Sequence, residues 1–97
     1  MYARVTIIRG DKEKVDDAID LYKKYVVPAA KAQKGFKGIT LLSDKKTGKG
    51  ISITYWNSEK DALSNEESKY YQEQLIKFMG FFKIPPIREG YEVVVKE

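Results

Sequence analysis

Apolar positions along this chain fall into short β-branched runs and into helical stripes, and the two patterns alternate. Residues 2–9 (YARVTIIR) form a short apolar run that predicts a strand. Gly10-Asp11 breaks it, and Asp11 is placed to cap a helix. Val15, Ala18, Ile19, Tyr22, Tyr25, Val26 and Ala29 then recur at spacings of three and four, which makes one face of a helix. Asp11, Glu13, Asp16, Asp17 and Asp20 lie early and Lys23, Lys24, Lys31 and Lys34 late, the order a helix dipole favours, with Lys12 and Lys14 as exceptions. Pro28 should kink or end this helix near Val27, with a short helical piece following to Gln33. Residues 38–43 (GITLLS) and 51–56 (ISITYW) read as two strands joined by the polar, Gly-containing turn at 44–50, an antiparallel hairpin. Ser58 with Asp61 resembles a capping box for a short helix to about Asn65. Ser68 can cap a further helix carrying Tyr71, Leu75, Phe78 and Phe82 at spacings of four, three and four. Gly80 and Pro85-Pro86 interrupt the chain, and residues 91–95 (YEVVV) predict a fourth strand.

The order βαββαβ predicts one α+β domain over residues 1–97 with a ferredoxin-like architecture. Its four-stranded antiparallel sheet would carry both helices on one face. Strand alternation sorts the side chains into two sets. The more apolar set holds Val5, Ile7, Ile39, Leu41, Ile51, Ile53, Tyr55, Tyr91, Val93 and Val95, and is expected to face the helices. The opposite set mixes Arg4, Thr6, Thr40 and Thr54 with Ile8, Leu42, Trp56 and Val94. An apolar patch on an uncovered sheet marks an interface, so a homodimer through the open sheet face is expected.

Composition narrows the chemistry. The chain has 97 residues with no Cys and no His. That removes disulfides, thiolate nucleophiles, imidazole bases and the usual transition-metal sites, so no metal and no cofactor are expected. A domain this small buries only about 60–65% of its unfolded surface, which favours added burial from a partner. Formal net charge is +4, carried by fifteen Lys but only Arg4, Arg9 and Arg88. Phosphate and base readers favour Arg forks, so this basicity argues for a solvated surface. No apolar run approaches the ~20 residues that cross a bilayer, and the N-terminus lacks a signal-peptide pattern, so a cytoplasmic location without membrane contact is expected. RNA recognition motifs share the βαββαβ order, and Lys34-Gly35-Phe36-Lys37-Gly38-Ile39 echoes their signature. That signature belongs on a third strand, whereas here it precedes the second, and the first strand lacks a central aromatic for base stacking. RNA is a distant third reading, and no nucleic-acid partner is expected.

Three regions carry a family resemblance. Val27-Pro28-Ala29-Ala30 followed by Lys34-Gly35-Phe36-Lys37-Gly38 resembles the helix end and strand start of antibiotic-biosynthesis-monooxygenase-like domains. Tyr55-Trp56-Asn57-Ser58-Glu59-Lys60-Asp61-Ala62 resembles their junction from third strand to second helix, and Arg88-Glu89-Gly90-Tyr91-Glu92-Val93 resembles their closing strand. The resemblance implies a dimeric α+β barrel. Its members include cofactor-free monooxygenases of polycyclic phenols, haem-degrading proteins, and proteins without an established activity. The haem-degrading pattern needs a His on the second helix and a second Trp where this chain has Leu63, Ser64 and Asn65, so that branch is not implied. For the phenol-oxidising branch the resemblance implies Trp56, Asn57, Tyr71 and Arg88 as catalytic counterparts by type and region.

The residues themselves keep two readings open. Trp56 is an interface or core anchor, or the wall of a pocket for a planar ligand. Tyr22, Tyr25, Tyr55, Tyr71 and Tyr91, with Phe78, are either ordinary core or the lining of an apolar pocket between sheet and helices whose hydroxyls orient a phenol. Arg88 pairs with Glu89 or Glu92 or with the partner chain, or holds an anionic oxygen. Phe81, Phe82 and Ile84 pack over the helix ends or across the dimer, or form a lid on the pocket, and Lys45, Lys46 and Lys49 form a solvated hairpin tip. The expected function is binding of an apolar or aromatic small molecule, with cofactor-independent monooxygenation as the leading activity. The alternative is a non-catalytic binding or structural dimer.

Overall fold

The structure is a computed structural model that describes the backbone of residues 1–97 and all side chains except those of Lys69, Tyr70, Tyr71 and Leu75. Strand β1 (Tyr2–Arg9) leads through a 3-10 turn at Lys12–Lys14 into helix α1 (Val15–Leu21). Asp11 Oδ1 accepts the Glu13 backbone N–H at 3.0 Å, so the helical entry is capped where the Gly10-Asp11 break places it. A π-helical turn, Tyr22–Val26, joins α1 to α2 (Val27–Lys31). Its cause is Pro28, which has no N–H to bond back along the helix. The Val27 N–H reaches Tyr22 O, five residues back, so the irregularity near Val27 takes the form of a wider turn, and the short helical piece expected after it is α2. Strands β2 (Phe36–Asp44) and β3 (Lys49–Trp56) form the hairpin, and α3 (Glu59–Glu66) starts where Ser58 Oγ accepts the Asp61 N–H at 3.2 Å. Helix α4 (Lys69–Phe78), a 3-10 turn at Met79–Phe81, and β4 (Ile87–Glu92) complete the chain.

The strands lie in the order β2-β3-β1-β4, all antiparallel, which is the split βαβ topology expected from the element order. Strand β4 pairs Ile87 with Ile7 and Glu92 with Tyr2, so it runs earlier than residues 91–95. Its ladder ends where β1 begins, and past Glu92 the Val93 N–H bonds only to Met1 O, at 3.0 Å. The hairpin closes over Gly48, at φ +81°, whose missing Cβ would sit 2.3 Å from Gly10 O.

The helices cover the face opposite to the one that apolar parity suggests. Tyr22 on the helix meets Ser52 on β3, and Glu66 on α3 meets Arg4 on β1. Register then places Tyr2, Arg4, Thr6 and Ile8 beside Trp56, Thr54, Ser52 and Gly50 under the helices. Ile39 and Leu41 join them, because the β2 irregularity between Phe36 and Gly38 sets Ile39 opposite Thr54 and Leu41 opposite Ser52. Val5, Ile7, Ile51, Ile53 and Tyr55 therefore lie on the uncovered face, joined by Tyr91, which pairs with Ala3 on β1. Ile8 and Trp56 are on the covered face, and Leu42, 50% exposed, is on the open one. The physical reason is that the helix side is anchored at one end by aromatic packing and is partly polar elsewhere. Tyr2, Trp56 and Ala62 form the buried cluster, with Phe36 edge-on to Trp56 at 6.0 Å and 83°. Ala62 is small enough to seat α3 on the indole. Gly90 lets the Tyr2 ring lie across β4, since a Cβ there would stand 1.9 Å from the Tyr2 hydroxyl.

Candidate functional site

Beyond the Trp56 cluster the two layers separate and leave a cavity of about 160 Å³. Its floor is the sheet rows Arg4–Thr54, Thr6–Ser52 and Ile8–Gly50. Its apolar walls include Val15, Ile19 and Val26 from the first helical segment, Leu41 from β2, and Phe78 and Phe82 from the second half. The π turn places Tyr22 over the floor, where its hydroxyl and Ser52 Oγ share a hydrogen bond of 2.6 Å. Burial raises the Tyr22 phenol above its ordinary 10.0, partly offset by the Ser52 bond. At neutral pH this group is a hydroxyl that can donate or accept, and it is not a base.

At the Arg4 end the guanidinium pairs with the Glu66 carboxylate through two hydrogen bonds, one of them Nη2 to Oε2 at 3.1 Å. The side chains are 20% and 13% exposed, so the pair is largely shielded. Asn65, beside it on α3, is 9% exposed, and its Oδ1 is buried without a hydrogen-bond partner. Gln74 Oε1, from α4, is likewise buried and unpartnered, and both residues line the cavity. At the opposite end the lining includes Asp11, Lys14 and Lys49. The cavity is open to solvent on one side, and an apolar recess with a few polar groups is the usual form of a small-molecule site.

Of the residues singled out from sequence, the structure brings Tyr22 and Phe78 to this cavity. Trp56 is fully buried in the neighbouring cluster, its Nε1–H donating to Thr54 Oγ1 at 2.8 Å, so it supports the floor from outside. Asn57 is exposed, and its backbone N–H bonds to Gly35 O at 2.7 Å. Tyr25 lies outside the cavity lining, its ring 4.1 Å from Lys77 Nζ and 5.2 Å from Lys24 Nζ. Tyr55 and Tyr91 belong to the uncovered face, contrary to the expectation that they point at the helices. Lys96 Nζ stands 5.1 Å from the Tyr55 ring, and the neighbouring Glu89 raises Tyr91 by hydrogen bond and charge. Arg88 is exposed and pairs in register with Thr6, outside the cavity lining. The Tyr71 side chain lies outside the described residues. Phe81 and Phe82 do line the cavity, whereas Ile84 is 47% exposed.

Sequence reasoning missed Arg4, Thr6, Ser52, Thr54, Asn65, Glu66 and Gln74 as lining residues. The signal was the polar stripe Arg4-Thr6 and Ser52-Thr54 running at strand period inside otherwise apolar strands. A purely structural core would not place four polar side chains on adjacent rows. Among the described residues no group of three or more His, Cys, Asp or Glu could hold a metal ion. The residues also do not fit a haem held by the usual His or Cys, since the chain contains neither. No helix among the described residues is long and apolar enough to cross a membrane.

A model of the antibiotic biosynthesis monooxygenase family matches residues 1–74. An uncharacterised protein of Mycobacterium tuberculosis strain H37Rv is 30% identical over 67 residues, which cover 69% of this chain and 30% of that protein. A counterpart in strain CDC 1551 matches to the same extent, so the chain spans under a third of the length of these curated relatives. Among solved structures, a protein of Bordetella bronchiseptica superposes with TM-score 0.84 at 16% identity, covering 97% of both chains. A structure described as an antibiotic biosynthesis monooxygenase gives TM-score 0.79 at 14% identity, over 98% of this chain and 100% of the other. A protein of unknown function from Nitrosomonas europaea gives 0.79 at 14%, over 99% and 91%. At these identities the structures establish the shared fold.

Proposed function

The chain belongs to the antibiotic biosynthesis monooxygenase family, and from that membership we propose that it binds an aromatic small molecule between sheet and helices and oxidises it with O2 without a cofactor. The observation that carries this reading is the 160 Å³ cavity, apolar-walled and crossed by the Tyr22–Ser52 and Arg4–Glu66 contacts. An electron-rich ring fits such chemistry because it brings its own electrons. A ring CH2 that becomes C=O gives up two hydrogens, which leave as water with the second oxygen atom of O2. The substrate thus provides all four electrons.

Proton removal is the demanding step. The two carboxylates among the described lining residues are engaged, Asp11 as a cap and Glu66 with Arg4. Tyr22 is held protonated. The reaction therefore relies on a substrate acidic enough to ionise in the site, an anthrone or quinol for example. The same engagement favours a second reading, binding without turnover. Oxygen uptake with a panel of anthrones and quinols separates the two. Uptake that is lost in Ala18→Phe, which projects a ring into the cavity, supports catalysis. Specific binding without uptake across the panel supports the second reading.

The uncovered sheet face supports a homodimer as part of this proposal. Val5, Ile7, Ile51 and Ile53 form a contiguous apolar surface there, with Leu42, Ile87 and Tyr91 about half exposed around it. Face-to-face packing of two such sheets would close an α+β barrel. A light-scattering mass of two chains at micromolar concentration, reduced to one chain by Ile53→Asp, is expected, and a one-chain mass for the unaltered protein contradicts the dimer.

A further inference from the structure

The segment that joins α4 to β4 is apolar on both sides. Residues 74–88 contain no Asp or Glu, and Lys77, Lys83 and Arg88 carry their only charges. Phe78, Phe81 and Phe82 line the cavity, with the Phe78 and Phe81 rings 5.9 Å apart. Ile76 and Met79, three apart and therefore neighbours on the helical surface, are 66% and 65% exposed. Ile84 follows at 47%. A helical element that is apolar all round is normally buried, yet here the outer side stands in solvent. Exposed apolar side chains grouped in this way mark a contact surface.

Charge identifies what meets it. The Lys83 N–H bonds to Arg9 O at 2.7 Å and Gly10 bridges to Phe82, which brings the Lys12–Lys14 turn beside the segment. Lys12, Lys14, Lys77 and Lys83 are all exposed, and Arg9 with them. The carboxylates of the same two stretches are Glu13, Glu73 and Asp11, of which Asp11 is engaged as a cap. The surround is therefore net cationic. A second copy would bring the same cations against this side, which disfavours self-association through it. An anionic lipid surface answers both features. Hydrocarbon accepts branched and thioether side chains that have no hydrogen bonds to direct, and the headgroups accept the ammonium groups. The expectation of no membrane contact follows from the lack of a bilayer-spanning run, but an element lying in the interface needs only one apolar side.

We propose that the outer side of residues 76–84 docks this protein on an anionic membrane surface. Ile76, Met79 and Ile84 enter the acyl boundary, while Lys77, Lys83 and the Lys12–Lys14 turn lie at the headgroups. Docking is independent of reading the cavity as a ligand site. Where both hold, the phenylalanines on the inner side of the same segment set the cavity wall beside the lipid, which is then a source of apolar ligands.

Flotation of the full chain with vesicles tests this. One set is phosphatidylcholine alone and the other is phosphatidylcholine with an equal part of phosphatidylglycerol, each at low and high salt. Binding to the mixed vesicles is expected, weaker at high salt and about tenfold weaker on phosphatidylcholine alone. Ile76→Ser combined with Met79→Ser should lower the partition coefficient about tenfold at either salt. Lys83→Gln should lower it about fivefold at low salt and little at high salt. Val94→Ser, at an 87% exposed position past the end of β4, should leave it unchanged. All of these side chains are exposed, so the variants should keep the melting temperature of the unaltered protein. No binding of the unaltered protein to the mixed vesicles at low salt overturns the proposal. Binding that survives the Ile76 and Met79 changes also overturns it, since that is adhesion by charge alone. So does a light-scattering mass that falls in the Ile76 and Met79 variant while the unaltered protein ignores vesicles, since that is a protein contact. Oxygen uptake with soluble anthrones is read without vesicles, so failure of docking and failure of the cavity reading are told apart.

Discussion

Replacing Asn65 by leucine should make the unliganded protein more stable. Asn65 is 9% exposed, and its side-chain oxygen has no partner. A buried acceptor without a donor costs about 1–3 kcal/mol relative to one that is satisfied or absent. Leucine has the branched skeleton of asparagine but a larger volume, which the neighbouring cavity has room to take. The backbone contact at this position, Ser68 Oγ–H to Asn65 O at 2.6 Å, is independent of the side chain. Part of the gain is lost to imperfect packing, which leaves a net stabilisation of about 1–2 kcal/mol. For a domain of this size each kcal/mol moves the melting temperature by about 4–8 °C, so a rise of roughly 5–15 °C is expected. Thermal and urea unfolding should be compared at one protein concentration, because association would make the melting temperature concentration-dependent. A melting temperature equal to or below that of the unaltered protein would refute the reasoning, since it would mean that the Asn65 amide is satisfied in solution.

Three further outcomes follow from the same structure. Gly90→Ala should destabilise by about 1–3 kcal/mol in urea titration, because its Cβ would stand 1.9 Å from the hydroxyl of buried Tyr2; an unchanged midpoint would show that Tyr2 can move aside freely. Arg4→Met should cost about 2–3 kcal/mol by leaving Glu66 largely shielded and unpaired, and adding Glu66→Met should recover much of it, a coupling measurable by a double-mutant cycle. Tyr22 should make the protein sensitive to alkali. Its folded-state pKa is raised above the 10.0 of the free phenol, so its contribution is fully present below pH 10 and is lost as pH climbs through the folded value. In a Tyr91→Phe background, which removes the tyrosine that Glu89 raises, absorbance titration should show a late-ionising tyrosine that is absent once Tyr22→Phe is added, and its persistence would assign it elsewhere.

The element order, the hairpin, the Asp11 and Ser58 caps and the topology were legible because each depends on local pattern. The two faces of the sheet were not. Assigning the more apolar parity to the helices assumes that the covered side is the drier one. Here the covered side carries Arg4, Thr6, Ser52 and Thr54 because it holds a cavity, while Val5, Ile7, Ile51 and Ile53 form the face left uncovered. Ile39 and Leu41 do face the helices as expected, but only because the β2 irregularity breaks the simple alternation that would have grouped them with Val5 and Ile7. The site residues followed the same error. Tyr55 and Tyr91 follow strand parity to the open face, while Asn65 and Glu66, ordinary polar helix residues by spacing, meet the sheet only once Ala62 has seated α3 on Trp56. The π turn was also beyond sequence reading, because a Pro at position 28 is compatible with a break, a kink or a widened turn, and the structure shows the widened turn with Tyr22 over Ser52.

The account stands most directly on where a small aromatic ligand binds. Methyl-resolved NMR titration with hydroquinone under anaerobic conditions reads this from the apolar side chains. The account predicts saturable shifts at Ile8, Val15, Ile19, Val26 and Leu41, which line the cavity, with little change at Val5, Ile51 and Ile53 on the opposite face. Shifts confined to the open-face methyls, or none at millimolar probe, would contradict it.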